Sequence, residues 1–464
     1  MIVPSGVAPA FAPATGPGAV PKFGRVDLTI GAALAVIAIF VRLSFLHELL
    51  TVLVGAKLYL LYLFGIPALA AVFLTGGLRR VFEGRVAFYW IGFAGWMAVA
   101  VPFSSWVGGS FTAFLGYLKT GPVVLVTIAG LIVTWRQCKT MMWGLACAAA
   151  LSLASGRLFS QDVGGRLGME FGTIQNANDF AAHLLLGLPF LLWVVLSSRS
   201  IVLRLGAFVG IGTGVYMILR TASRGAALAL AVDIAFLLWR GTARQRIALL
   251  ALAPIAAVAL AAAVPRNAWE RMLAYSQTTA DSRFSSIYED AMGSSAAREY
   301  VIRKGLQYSF AHPIVGVGPG EFANYEGGRE RSMSGLHGYY RAIHNTYAQV
   351  LVECGVPALL FFLAGIFSSL LLLNATHREA RRRPDCPDIR TAVFCIMLGI
   401  VGFCTAATFL SLAYTFYLPA MGGLAIAVAR GAKQEFASRT GQSGDSPGGP
   451  PPGQPAIAAA RRSG

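Results

Sequence analysis

Charge is scarce in this chain: 13% of its 464 residues are Asp, Glu, Lys or Arg, where a soluble domain carries roughly a quarter. That shortage excludes an ordinary water-soluble fold. Acidic residues are the scarcer sign, 21 against 38 basic, and the net charge is +17. Cysteine is sparse too. Cys138, Cys147, Cys354, Cys386, Cys395 and Cys404 form no CxxC pair, and none lies in 265–343, so neither a disulfide framework nor a cysteine metal centre is expected. DxD, HExxH, EF-hand and nucleotide-loop patterns are missing, which leaves no motif that calls for a divalent metal or a nucleotide. No internal repeat is visible, and no hydrophobic run stands alone at the start as a cleavable signal would. Hydrophobicity is what the chain has: 56% of its residues, with a mean hydropathy of +0.63.

Runs long enough to cross about 30 Å of hydrocarbon recur near 27–43, 57–75, 87–103, 112–134, 140–156, 178–197, 204–219, 225–240, 247–264, 357–374, 391–411 and 413–430. They are too long and too uniformly apolar for barrel strands, and a backbone in lipid must satisfy its own hydrogen bonds, so they predict helices. The expected fold class is all-α: a polytopic membrane bundle of about twelve helices, with a large outer loop between the ninth and tenth. With both ends inside, most of the 38 basic residues fall on inner segments. That distribution is a topology signal and a match to anionic lipid, not a nucleic-acid footprint. Composition divides the chain into a disordered inner tail (1–24), nine spans (25–264), an outer loop domain (265–343), a re-entrant helix with three spans (344–433), and a second disordered inner tail (434–464). The outer loop is polar without being low-complexity. Its helix-like stretch at 296–310 and the turn glycines of HPIVGVGPGEF read as an ordered cover over a site.

HNTYAQVLVECGVP, residues 344–357, places polar groups where the next span begins. As a helix it lines up Asn345, Gln349 and Glu353 in one stripe before Gly355-Val356-Pro357 breaks it. Glu353 then lies at or just below the membrane surface, where an ionisable group faces protein or a watery cavity; it is a functional carboxylate or one that orients the helix. His344, at the helix start, is favoured in its neutral form by the helix dipole, which suits a proton acceptor. RTASRGA at 220–226 puts Arg220 and Arg224 at an outer boundary, where arginine is unusual. Their planar forks match phosphate oxygens, and a membrane anchor is the alternative for Arg220. On the outer loop, Arg298 and Arg341 would close a basic funnel, while Arg303 and Lys304 fit a solvated face. Gly316, Gly318 and Gly320 resemble a phosphate cradle but lack the spacing and lysine of a nucleotide loop. Asn176 and Asn178, ahead of the sixth span, have amides for sugar hydroxyls and equally for capping the helix. Lys119, about two turns inside the fourth span, reaches the same anion or snorkels outward.

HNTYAQVLVECGVPALL, PIVGVGPGEF, TASRGA and NANDFA, taken together over 172–374, resemble the elements of the O-antigen ligase and polymerase superfamily. The resemblance implies a helical glycosyltransferase of the bacterial inner membrane, acting at the periplasmic face with both termini cytoplasmic. Its donor would be a glycan on undecaprenyl diphosphate, and its acceptor a hydroxyl of lipid A core, of another glycan or of a protein. It implies no metal and no cofactor. By position, His344 resembles the family's essential histidine, with His337 close by in GLHGYYRAIHN; Arg224 resembles its SRG arginine, and Arg298 the arginine upstream of the glycine element, with Arg220 assisting. Arginines would then neutralise the leaving diphosphate while His344 deprotonates the acceptor, with inversion at the anomeric carbon. A secondary transporter using Asp179, Asp233, Glu353 and Lys119 for ion coupling is the competing class.

Overall fold

The computed structural model describes residues 28–163, 165–169, 172–174, 176–273, 285–334 and 340–444. Among them seventeen α-helices follow in order: α1 (Leu28–Leu43), α2 (Leu46–Val54), α3 (Leu60–Leu74), α4 (Gly77–Val81), α5 (Arg85–Ala100), α6 (Val107–Leu131), α7 (Trp135–Leu158), α8 (Ala177–Ser197) and α9 (Ile201–Arg220). Then come α10 (Arg224–Arg240), α11 (Ala243–Ala263), α12 (Arg266–Leu273), α13 (Ser285–Ala311), α14 (Phe322–Ser334), α15 (Thr346–Arg381), α16 (Pro387–Ala407) and α17 (Tyr417–Gly444). One small antiparallel hairpin, β1 (Ser160–Val163) and β2 (Arg166–Met169), interrupts the helices.

A helix lies in each of the twelve expected runs. Eight are long and apolar enough to cross a membrane, or nine if α1 and α2, bent by 65°, count as one span. Of the others, α3 has 15 residues and α10 has 17, so expected spans and crossing-length helices do not coincide one for one.

Polar residues start the helices where the sequence turns. Thr134 and Gln137 form a capping box on α7, and Thr242 and Gln245 another on α11. Glycine lets the central helices approach. Trp90 of α5, 1% exposed, sits between Gly365 of α15 and Gly422 of α17, where an added methyl would come within 2.8 and 2.7 Å of the indole. α8 and α16 form the inside of the bundle, whereas α11 buries none of its residues.

One boundary differs from expectation. α17 continues to Gly444, past the tail expected from 434, because Phe436 is buried and Arg383 packs over its ring at 4.9 Å. Arg383 also donates to the Phe436 carbonyl at 3.1 Å and the Thr440 hydroxyl at 2.9 Å. α15 breaks where expected: two helical stretches meet across a kink at Gly355 (φ 81°, ψ 179°), and the second begins at once. The tail over 1–24, residues 445–464 and His337 lie outside the described residues.

Candidate functional site

The TASRG turn joins α9 to α10. Thr221 bonds back to the Ile218 carbonyl at 2.6 Å, Ala222 takes a left-handed φ of 49°, and Ser223 caps α10 by accepting from the Ala226 N–H at 3.3 Å. Arg224 is thus the first residue of α10, and Gly225 allows the Phe409 ring to approach, since a methyl there would lie 2.7 Å from it. Above this turn lies a cavity of about 40 Å³ lined by Arg166, Arg224, Arg271 and Arg298, with Asn178, Phe409 and Leu410 among its walls. That is room for a few waters or one phosphate-sized group. Arg298, half-buried on α13, has its affinity for a proton lowered first by burial and then by the positive charges of Arg224 and Arg271. Guanidiniums that destabilise one another in this way are offset by an anion placed among them.

The histidine comes from the far wall. Residues 408–416 are sewn to the start of α15: Thr346 donates to the Leu410 carbonyl at 2.7 Å and accepts from the Leu412 N–H at 3.0 Å, while the Tyr347 hydroxyl donates to the Cys404 carbonyl at 2.9 Å. The His344 N–H donates to the Ser411 hydroxyl at 3.1 Å. Because Phe409 and Leu410 also line the arginine cavity, these bonds set His344 beside it. His344 holds a left-handed φ of 42°, a conformation rare outside glycine and asparagine that persists only when its surroundings enforce it. Burial, and then the charge of Arg298, lower its pKa below the ordinary 6.5.

Glu353 has a different partner. It is 4% exposed and accepts from the N–H groups of Gly320 at 3.0 Å and Phe322 at 3.4 Å, from the Tyr414 hydroxyl at 2.7 Å, and from Gln349 at 3.3 Å. The glycine turns that resemble a phosphate cradle are therefore filled by the chain's own carboxylate. Gly316, Gly318 and Gly320 all have positive φ, at 69°, 116° and 76°. The turns also hold the start of α6: Ser105 N–H donates to the Val317 carbonyl at 3.0 Å and Ser110 to the Pro319 carbonyl at 3.0 Å. Glu321, 2% exposed, lies against Gly109, where a methyl would come within 2.1 Å of its carboxylate.

Of the residues expected at the site, Arg224, Arg298 and Asn178 line one cavity; His344 is outside that lining, bonded to Ser411 next to Leu410 and within reach of the Arg298 charge. Arg220 is not in the cavity lining: it pairs with Asp162 at 3.0 Å and with the Tyr216 hydroxyl at 3.3 Å. Asn345 caps α15 through the Tyr347 and Ala348 N–H groups at 3.0 and 2.9 Å. Asn176 caps α8 by accepting from the Asn178 N–H at 2.8 Å. Lys119 and Arg341 are exposed and outside the cavity lining.

Arg166 and Arg271 were missed by the sequence reading. Arg166 donates to the Asn178 side-chain oxygen at 2.6 Å and to the Thr221 carbonyl at 2.9 Å. The Gly-Gly between SQDV and RLGM, just before Arg166, is a hairpin signal in the sequence, whereas nothing local sets Arg271 apart from Arg266.

No curated protein matches the chain. A family profile described as O-antigen ligase matches residues 209–363, a stretch that contains Arg224, Arg271, Arg298 and His344 but not Arg166 or Asn178. Over that stretch, in a chain of long apolar helices, this protein is similar to the O-antigen ligase family.

Proposed function

We propose that the chain transfers a glycan from undecaprenyl diphosphate to an acceptor hydroxyl at the periplasmic face of a bacterial inner membrane, with twelve spans and both termini in the cytoplasm. The acceptor is a hydroxyl of lipid A core or of a second glycan. The observation that carries the reading is the convergence of four arginines on one cavity beside a histidine whose neutral form is favoured.

In this reading one phosphate of the donor's diphosphate occupies the arginine cavity, and the sugar's anomeric carbon points toward His344. The acceptor O–H gives its proton to the neutral imidazole as its oxygen attacks that carbon. The bond to the diphosphate oxygen breaks with its electron pair, and Arg224 and Arg298 stabilise the charge that develops there. Attack opposite the leaving group inverts the carbon. An imidazolium beside Arg298 is costly alone but is offset once the diphosphate carries its full negative charge, so proton uptake and bond cleavage favour each other. His337 is the neighbouring candidate for the same proton.

The test is His344→Ala in vesicles reconstituted with a polyprenyl-diphosphate-linked glycan. Transfer should fall roughly 100-fold or more at unchanged protein level; a wild-type rate would remove His344 as the base. A secondary transporter remains the second reading, because Asp233 of α10 is buried with one carboxylate oxygen unpartnered. Asp233→Asn leaves transfer intact if the chain is the enzyme proposed. Abolished solute uptake in the same vesicles would favour transport.

A further inference from the structure

The hairpin lies outside the matched stretch, yet it enters the same cavity. Alternation along β2 sends Leu167 and Met169 into the bundle, both 7% exposed, and leaves Arg166 on the other face, where it lines the cavity. At the tip, Gly165 has φ 75° and lies so close to Asn267 of α12 that a methyl would come within 2.7 Å of its amide. Arg166 is braced from two directions, by Asn178 of α8 and by the carbonyl of Thr221 in the TASRG turn. On β1, Asp162 meets Arg220 at 3.0 Å. Arg220 is the last residue of α9, four positions before Arg224 in the sequence. The turn that carries Arg224 therefore also holds both ends of the hairpin's polar attachment.

We propose that the hairpin is a positioning arm of the anion site, in which Arg166 contacts the donor diphosphate and Arg220, through Asp162, holds the arm without touching the anion. The proposal rests on the diphosphate reading above. It explains why an outer-face arginine so near the site faces away from it: the Arg220 fork is used on a carboxylate of the chain. It also makes Asn178 a support for Arg166, whose guanidinium donates to the amide oxygen. The Asp162 carboxylate is about half exposed, at 49%, so its pair with Arg220 belongs to the weak class of surface ion pairs and serves as a modest latch.

Binding of farnesyl diphosphate to the full chain in detergent, followed by calorimetry, separates these roles without relying on transfer. Arg166→Gln should weaken binding about tenfold or more, the loss of a charge-assisted contact. Arg220→Gln and Asp162→Asn should each weaken it about threefold, and their combination also about threefold, because both break one pair. The charge swap D162R/R220D should return affinity to nearly the wild-type value. Equal losses in Arg220→Gln and Arg166→Gln, with Asp162→Asn silent, would overturn the latch and make Arg220 a ligand. Unchanged binding in Arg166→Gln would remove the arm from the site. Failure of the wild-type chain to bind would instead overturn the diphosphate reading itself. If Arg220→Gln does not fold, Asp162→Asn and the swap carry the test.

Discussion

Arg298 helps to set the charge of His344. Burial and a neighbouring guanidinium both disfavour the protonated imidazole, so His344 accepts its proton only below the ordinary histidine range. The acid limb of kcat/KM for transfer should accordingly fall below pH 6.5. Arg298→Gln removes one of the two lowering causes, raises the pKa of His344, and should move that limb to higher pH, apart from any loss of maximal rate. A limb that stays in place would show that another group titrates. At this scale the arginine pair of RTASRGA stands out in the sequence because arginine is unusual at an outer boundary, whereas His344 stands out through the resemblance of its motif and not through its place at a helix start. The sequence was illegible where a side chain's partner lies far along the chain. Arg220 and Arg224 share one short motif, yet one faces the cavity and the other Asp162, 58 positions away. Nothing local separates them.

Among the elements, the loop over 312–322 shows how a sound signal can point to the wrong ligand. Turn glycines do create an anion-binding row of N–H groups, and that much follows from HPIVGVGPGEF. What fills that row is the Glu353 carboxyl, brought from α15, and only the fold reveals it. Gly316→Ala tests this packing. Its methyl would meet backbone of Glu353 at 2.4 Å, at a φ of +69° that costs an alanine roughly 1 kcal/mol before any clash. The variant should lose several degrees of thermal stability in detergent, and wild-type melting would show that the loop shifts freely. Gly328, with open space where its Cβ would go, is the control. The helix break was legible in GVP, although the chain resumes its helix immediately and needs only Gly355 to turn. The hairpin, by contrast, is too short to carry an alternating pattern that competes with the strong apolar runs on either side.

Across the whole molecule, hydropathy located every helix of the expected spans but not which of them have crossing length. Periodicity cannot show that α3 stops at Leu74 or that α1 bends into α2. Labelling resolves orientation. Arg341→Cys, in a Cys147→Ser background, should react with a membrane-impermeant maleimide in intact spheroplasts, while Arg382→Cys should react only after the membrane is opened; the reverse pattern would invert the topology. α15 unites these scales. Above Gly355 it is bonded sideways, through Thr346, Gln349 and Glu353, to residues 410–414 and 320–322. Below the break it packs against α5 and α16. A bilayer that thins or thickens makes long helices tilt, and a rigid rod of 36 residues would carry that tilt to His344. Because the rod is broken at Gly355, the direction of the end that carries His344 is set by its sideways bonds and not by the axis of the lower helix.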